Sequence, residues 1–215
     1  MKFAARAALV LVAMLPLACS AAPESEFKSG QHYKSVRVEQ KPADPAKIEV
    51  AEVFWYGCGH CFSFEHAVAK WAAGKPGDVN FIRIPSSLGR PIGMTHSKAY
   101  YTAELLGITD KIHLPLFEAI HKDGRMMGTQ EELRELFVKA AGIKPEDFDG
   151  AFAGFAVDSR VRIAETQLRD MGIASTPTMV VDGKWYTNGS MAGSHDKLIQ
   201  VVNHLVEKAR AERKK

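Results

Sequence analysis

The spacing of hydrophobic and polar residues changes several times along the chain, and each spacing predicts a different element. Residues 48–56 form a nearly continuous run of aliphatic, β-branched and aromatic side chains that ends at Gly57, which predicts a buried central strand. Apolar residues recur at helical intervals over 62–71, and residues 79–84 alternate as in a second strand. Strand, helix and strand in this order predict two parallel strands joined by a right-handed crossover.

The middle of the chain is predicted to be helical. Between residues 94 and 171, helical spacing continues in pieces that are interrupted at Gly107, 123–124, Gly128 and 142–145. We therefore expect an α/β domain built from residues 22–93 and 172–215, with an inserted all-helical domain at 94–171.

Short motifs mark the ends of individual elements. Thr129 is predicted to cap a helix, with Glu132 completing a capping box. Asp182 and Gly183 lie between two apolar runs, which is the strongest short signal for a hairpin. The remaining predicted elements are an edge strand near 33–38, hairpin strands at 178–181 and 184–186, and a final amphipathic helix over 195–210.

The start of the chain has the pattern of a secretory signal peptide. Lys2 and Arg6 precede an apolar run at 7–15, and small residues offer cleavage positions near Ser20 or Ala21. A helix needs about 20 apolar residues to cross a bilayer core, so this run is too short to span it. An uncleaved membrane anchor is the alternative interpretation.

Cys19 has an interpretation of its own, because a cysteine after an apolar run can be the lipid-modified first residue of a lipoprotein. The usual bacterial lipoprotein pattern has Leu three residues before that cysteine, where this chain has Pro16. Ordinary cleavage that releases Cys19 is the favoured interpretation, and a lipid anchor through Cys19 is the alternative.

Composition and charge indicate a folded globular protein and give no support to nucleic-acid binding. The 215 residues are 46% hydrophobic and 25% charged, as in a folded globular protein, and the net charge is +3. Removal of residues 1–21 takes away two basic side chains and no acidic one, which lowers the net charge to +1. Nucleic-acid binding has no electrostatic support at this charge. The basic residues at 208–215 are interpreted as a frayed, solvated helix end.

Cleavage would leave one pair of cysteines, Cys58 and Cys61, from the three in the chain. In an oxidising compartment we expect this pair to form a disulfide at least part of the time. A bridge across so short a loop restricts the unfolded chain very little, so its stabilisation is small. The pair is therefore predicted to serve chemistry rather than structure.

Disulfide exchange explains the position and spacing of the pair. Cys58 falls where the predicted strand meets the predicted helix, and the unpaired N–H groups and dipole of a helix start lower the pKa of a thiol there. Because Cys61 lies on the same helix face, its thiol can attack a mixed disulfide formed by Cys58. His60 lies between them and is expected to stabilise the Cys58 thiolate by charge or hydrogen bonding.

Half of a zinc site is the competing interpretation of two cysteines at this spacing. Structural zinc usually takes four ligands, and the cleaved chain offers two cysteines and eight histidines without the HExxH spacing. We therefore expect no metal site. The histidines other than His60 are expected to be ordinary surface or helix residues.

Two further positions are candidates for function. Thr176 and Pro177 immediately precede a predicted hairpin strand, and a proline that opens a strand can mark a cis peptide bond. Glu52 lies inside the predicted central strand. Its two interpretations are a solvated or edge position and a functional carboxyl group.

Residues 54–65, the helical region and residues 176–183 together resemble bacterial periplasmic DsbA-type thiol:disulfide oxidoreductases of the thioredoxin superfamily. The resemblance extends from Ile48 to the C-terminus and includes the order and spacing of the parts. It implies a thioredoxin fold with an inserted all-helical domain and a cis Pro177 beside the cysteine pair.

The resemblance also implies a role for each candidate residue. Cys58 attacks or is attacked, and Cys61 is its buried partner. Thr176 offers backbone hydrogen bonds to an extended substrate. Glu52 takes the place of the family's buried acidic residue, a candidate for proton transfer from Cys61, whereas its charged neighbour is not identifiable from the sequence.

The function implied by the resemblance is the introduction of disulfide bonds into exported proteins in the periplasm. The implied partners are reduced or unfolded exported polypeptides and a DsbB-type, quinone-linked membrane oxidase, with no cofactor. One departure concerns Gly59, because many DsbA proteins have proline there and Gly-His is the pattern of eukaryotic disulfide isomerases.

Two alternative functions remain open at this point. A disulfide isomerase or reductase is the first, but isomerases of this compartment are usually dimers with an N-terminal dimerisation domain. Residues 22–47 are too few to form such a domain, which favours a monomeric oxidase. The second alternative is a peptide-binding chaperone that uses the apolar surface around Trp55, Phe62 and Pro177.

Overall fold

The computed structural model describes residues 26–214. The predicted signal peptide and Cys19 lie outside the described residues. Among the described residues, no helix combines the length and the apolar character needed to cross a membrane.

A five-stranded sheet forms the centre of the molecule, with the strand order β1-β5-β4-β2-β3. The central strand β2 pairs in parallel with β3 and antiparallel with β4, and the other pairs are antiparallel. The parallel pair joined by a helix confirms the predicted crossover unit. The strands are β1 (Lys34–Ser35), β2 (Ile48–Phe54), β3 (Val79–Pro85), β4 (Thr178–Val181) and β5 (Trp185–Asn188).

Eight helices surround the sheet in the described part of the chain. Five of them, α2 to α6, lie between β3 and β4 in the sequence. The helices are α1 (Gly59–Gly74), α2 (Pro91–Leu105), α3 (Thr109–His121), α4 (Gln130–Ala141), α5 (Pro145–Phe152), α6 (Phe155–Met171), α7 (Gly189–Ala192) and α8 (His195–Arg213).

Two hydrophobic cores lie on the two faces of the sheet. Residues two apart along a strand share a face, so Val50 of β2 packs in the core with α1 and α8, whereas Val53 packs in the core with the helices α2 to α6. Both faces of β2 are thus covered, which explains its nearly continuous apolar sequence. Glu52 lies on the same face as Val50.

The local motifs are formed as predicted. The Thr129 hydroxyl oxygen accepts a hydrogen bond from the backbone N–H of Glu132, and the Glu132 carboxylate accepts one from the backbone N–H of Thr129, which completes the capping box. Asp182 and Gly183 both have positive φ, as a type I′ hairpin turn requires. A side chain at Gly183 would also meet the carbonyl oxygen of Gln40 at 1.9 Å.

The C-terminus differs from the prediction of a frayed, solvated end. Helix α8 continues to Arg213, and Arg210 contacts Asp78 with an Nε–Oδ2 distance of 2.6 Å. Arg213 pairs with the buried Asp182 and donates a hydrogen bond to the carbonyl oxygen of Pro45. These partners lie far away in the sequence, so periodicity alone does not reveal them.

Candidate active site at the start of helix α1

The cysteine pair lies where β2 passes into α1. Cys58 caps the helix in an extended conformation, with φ −93° and ψ 112°, and its backbone N–H donates to the carbonyl oxygen of Trp55. The turn before it requires glycine, because a Cβ at Gly57 would lie 2.3 Å from the indole ring of Trp55. The helix starts at Gly59, three residues earlier than its apolar periodicity predicts.

The two thiols lie in different surroundings. Both cysteines are free thiols here, with Cys58 half-buried and Cys61 fully buried. Sγ of Cys58 accepts a hydrogen bond from the backbone N–H of Cys61 at 3.4 Å and lies 3.5 Å from the carbonyl oxygen of Thr176. The Sγ atom of Cys58 therefore occupies the N-terminal end of α1, where helix N–H groups point towards it.

These surroundings separate the acidities of the pair. The hydrogen bond from the Cys61 thiol lowers the pKa of Cys58 to about 5, against partial burial, and the backbone N–H groups of Cys61 and His60 add to this lowering. Burial raises the pKa of Cys61 far above its ordinary value, and the neighbouring Cys58 raises it further. Near neutral pH, Cys58 is a thiolate and Cys61 a thiol.

A cavity of about 550 Å³ opens beside the pair. The peptide bond between Thr176 and Pro177 is cis, which agrees with the expectation from the sequence. The hydroxyl oxygen of Thr176 is buried and has no hydrogen-bond partner among the described residues. The cavity lies between the start of α1, this cis-proline loop and the start of α8, and its lining includes His60, Thr176, Pro177, Asn188, Ser194 and His195.

The side chain of His60 is exposed and lines the cavity. The contribution of His60 to the lowered pKa of Cys58 comes from its backbone N–H. Among the described residues, its ring forms no hydrogen bond, so stabilisation of the thiolate by the ring stays a prediction.

A buried cluster of charges continues from the pair into the protein. Glu65 follows Cys61 by one helical turn on the same face of α1. Nη2 of Arg83 lies 2.9 Å from Oε1 of Glu65, and Nε of Arg83 lies 3.0 Å from Oε2 of Glu52. Arg83 and Glu52 are direct neighbours across the β2–β3 pair, so Arg83 is the charged partner that the sequence did not reveal.

Glu52 is buried, with 1% of its surface exposed, which excludes a solvated position. Burial raises the pKa of its carboxyl group to about 7, and the positive charge of Arg83 limits this rise. The Glu52 carboxyl group is thus able to take up or release a proton near neutral pH.

Three histidines contact the residues that precede Cys58. All three lie in helices, as the sequence predicts, but His96 and His113 are buried rather than on the surface. Nδ1 of His113 lies 2.9 Å from the hydroxyl of Tyr56, and Nε2 of His121 donates to the carbonyl oxygen of Tyr56 at 2.7 Å. Nδ1 of His96 accepts a hydrogen bond from the indole N–H of Trp55 at 3.1 Å. Helix α3 thereby holds Tyr56 at both its hydroxyl and its backbone.

A sequence signal for part of this arrangement exists in α3. His113, Phe117 and His121 are spaced four residues apart and therefore share one face of a helix. In the structure this face packs against Tyr56 and Phe62, with the ring of His121 stacked on Phe62 at 5.0 Å between centroids. In the described part of the chain, no group of His, Cys, Asp and Glu residues could hold a metal ion.

Comparison with known proteins identifies the family. A family model for the DSBA-like thioredoxin domain matches residues 94–203. The thiol:disulfide interchange protein DsbA of Pseudomonas aeruginosa is 34% identical over 210 residues, which cover 96% of this chain and 99% of that protein. The chain belongs to the DsbA family.

Solved DsbA structures share the fold of this DsbA-family chain. The crystal structure of Pseudomonas aeruginosa DsbA superposes with a TM-score of 0.83 at 33% identity and covers 88% of this chain and 97% of that one. The DsbA of Xylella fastidiosa superposes with a TM-score of 0.79 at 28% identity and covers 85% of this chain and 97% of that one. These likenesses confirm the predicted α/β class, a thioredoxin fold with an inserted all-helical domain.

Membership of the DsbA family also confirms the predicted activity. The chain is a thiol:disulfide oxidoreductase that introduces disulfide bonds into substrate proteins by thiol–disulfide exchange.

Proposed function

We propose that Cys58 and Cys61 are the redox-active pair through which this DsbA-family chain oxidises exported proteins. The contrast between the two thiols carries the proposal. Cys58 is half-exposed beside a cavity and is ionised near neutral pH, whereas Cys61 is buried and protonated. Such a pair favours the reduced protein, and its disulfide is therefore a strong oxidant.

The proposed reaction starts from the Cys58–Cys61 disulfide. A substrate thiolate attacks Sγ of Cys58, the bond to Cys61 breaks, and Cys61 leaves as a thiolate that takes up a proton. A second substrate thiolate then attacks the substrate sulfur of the mixed disulfide and releases Cys58 as a thiolate. The substrate loses two electrons and its two thiol protons. The protein gains the two electrons as its reduced pair, one proton goes to Cys61, and the other is released to water.

Thr176 and Pro177 are proposed to bind the substrate next to the pair. The carbonyl oxygen of Thr176 lies 3.5 Å from Sγ of Cys58, and both Thr176 and Pro177 line the cavity. A peptide in extended conformation has free N–H and C=O groups to pair with such a backbone edge. His60, at the cavity wall, is proposed to stabilise the Cys58 thiolate when substrate excludes water.

Glu52 is proposed to exchange the proton of Cys61 during the reaction. Its carboxyl group has a pKa of about 7 because of burial, and it connects through Arg83 to Glu65, one turn along α1 from Cys61. A group that titrates near the working pH is suited to general acid–base catalysis.

The wider proposal concerns location and partners. We propose that residues 1–21 act as a signal peptide and that the chain works in the periplasm as a monomer, with a lipid anchor through Cys19 as the alternative to free release. A DsbB-type, quinone-linked membrane oxidase is proposed to restore the disulfide. The signal-like start of the chain and its family membership support these proposals.

The proposed domain organisation follows the order of the elements. Residues 22–93 and 172–215 contribute the sheet with α1, α7 and α8, and residues 94–171 form the helical insertion. The series α2 to α6 ends at Met171, which supports the second boundary, and it begins at Pro91, three residues before the proposed first boundary.

Trapping of a mixed disulfide tests the assignment of the pair. In Cys61→Ser, the resolving thiol is absent. A peptide whose one cysteine is activated as a mixed disulfide with a small leaving thiol should therefore remain bound to Cys58 and increase the intact mass of the protein. In Cys58→Ser, the remaining thiol is buried and protonated, so we expect no adduct in the same time.

An adduct on Cys61 in the Cys58→Ser variant would show that the attacking residue is wrong. Binding of a cysteine-free peptide to both variants without any exchange in the unaltered protein would instead support the chaperone alternative.

A further inference from the structure

A buried histidine connects helix α3 to the charged cluster next to the cysteine pair. His113 is 5% exposed, and its Nε2 lies 3.1 Å from Oε2 of Glu65. The other oxygen of Glu65 accepts from Nη2 of Arg83 at 2.9 Å. Glu65 therefore has a separate donor for each of its oxygens.

The two contacts of His113 fix the position of the hydrogen on its ring. Glu65 is paired with Arg83 as a carboxylate, which only accepts hydrogen bonds, so Nε2 of His113 carries the hydrogen. Nδ1 then accepts from the hydroxyl of Tyr56 at 2.9 Å. Burial lowers the pKa of His113, which keeps the ring neutral and agrees with this tautomer.

Charged and titratable groups of several elements surround this histidine. Arg83 comes from β3, Glu65 from α1, Tyr56 from the turn after β2, and Asp110 from the preceding turn of α3. The ring of Tyr100 from α2 lies 6.2 Å away between centroids. Arg83 is the cation of this set, and Glu52 is linked to the set through its ion pair with Arg83.

One cation thus serves two buried carboxyl groups. A second buried negative charge is costly, so the cluster retains one proton near neutral pH. Among the described residues, Glu52 has Arg83 as its donor, whereas Glu65 has His113 in addition. The extra donor stabilises the ionised form of Glu65, and the proton is left to Glu52.

We propose that His113 is a positioning residue that holds Glu65 as a carboxylate and thereby makes Glu52 the proton-carrying group of the site. The inference rests on the proposed role of Glu52 in proton transfer. It assigns the helical segment a part in the chemistry, since His113 reaches the cluster from α3.

Carbon-13 NMR of the glutamate carboxyl carbons in the reduced, full-length mature protein tests the proposal directly. Glu52→Gln assigns the Glu52 signal. In the unaltered protein, this signal should titrate with a midpoint near 7.

Two variants remove the donor in different ways. His113→Phe keeps an aromatic ring among Phe54, Tyr56 and Phe117, and His113→Leu is a second variant in case the first fails to fold. In either one, Glu65 loses one of its two donors and competes with Glu52 for the proton, so the Glu52 midpoint should fall by about one pH unit. His113→Gln, whose amide can donate and accept, should restore the original pattern.

His121→Gln is the matched control, because it lies on the same helix face and contacts Tyr56 without touching Glu65. It should leave the Glu52 titration unchanged. An unchanged Glu52 midpoint in the folded Phe or Leu variant would overturn the proposal. Because these signals are read without any exchange reaction, failure of the cysteine assignment shows separately, in the trapping experiment.

Discussion

Cys58 and Cys61 are three residues apart, yet their thiols differ in acidity and exposure. The first thiol receives hydrogen bonds at the helix start, and the second is enclosed by the core that α3 helps to form. The first half of this contrast follows from the sequence, because a strand-to-helix junction is recognisable there. The burial of Cys61 depends on helices that are distant in the sequence, so no local pattern predicts it.

The lowered pKa of Cys58 predicts a pH dependence of stability. A thiol whose pKa falls from 9.0 when unfolded to about 5 when folded contributes stability that is complete above about pH 9 and is lost as the pH falls to about 5. Only the reduced protein has this thiolate. The free energy of unfolding of the reduced form, minus that of the oxidised form, should therefore decrease steadily from about pH 9 to about pH 5.

Urea unfolding of the reduced and oxidised proteins across this pH range measures the difference between their free energies of unfolding. Groups that titrate alike in the two forms contribute equally to both values and do not affect the difference. The slope should disappear when Cys58→Ser is compared with the oxidised protein. A reduced form that gains stability relative to the oxidised form on acidification would contradict the lowered pKa.

Two elements determine the geometry of the site, the start of α1 and the face of α3. Gly59 is the first residue of α1, a Cβ there would meet no atom within 4 Å, and Cys58 before it is extended. A proline fits these conditions, because it is favoured at the first helical position and after an extended residue. The difference from the proline found in many DsbA proteins is therefore compatible with the same backbone.

Gly59→Pro is expected to stabilise the oxidised protein by about 0.4–1 kcal/mol, because it restricts the unfolded chain. The backbone donors to Sγ of Cys58 are the N–H groups of His60 and Cys61, so the pKa of Cys58 should stay near 5. Denaturant unfolding and the ultraviolet absorbance of the thiolate measure the two effects.

Gly59→Ala is the matched control for Gly59→Pro, since it adds a Cβ but keeps the backbone N–H. A large rise in the Cys58 pKa in the proline variant alone would show that the N–H of Gly59 also stabilises the thiolate.

Sequence periodicity predicted most elements but few of the contacts between them. The crossover unit, the hairpin and the capping box depend on neighbouring residues and were predicted. The partners of Glu52 and Glu65 were not, because Arg83 and His113 approach these two carboxyl groups from other elements, and their alignment depends on strand register and helix packing. The HxxxFxxxH spacing in α3 indicated a shared face without indicating what that face contacts.

At the scale of the whole molecule, the sheet and the helical segment meet at the cysteine pair. Helices α1 and α8 cover one face of the sheet, α2 to α6 cover the other, and the cavity opens beside the start of α1. Substrate is thus expected to reach Cys58 from the cavity, while Cys61 and the charged cluster remain enclosed. The sulfur atom of Cys58, which exchanges with substrate, is thus separated from the buried charged cluster, which is proposed to hold the proton of Cys61.

The reduction potential of the Cys58–Cys61 pair decides whether this separation makes the protein an oxidant. The mature protein is equilibrated with glutathione buffers of graded ratio, and the fraction of disulfide is measured after alkylation of free thiols. Stabilisation of the Cys58 thiolate predicts a value more oxidising than about −180 mV, the level of protein disulfide isomerase. A value close to the roughly −270 mV of thioredoxin would contradict the oxidase function and indicate a reductase that requires an electron donor.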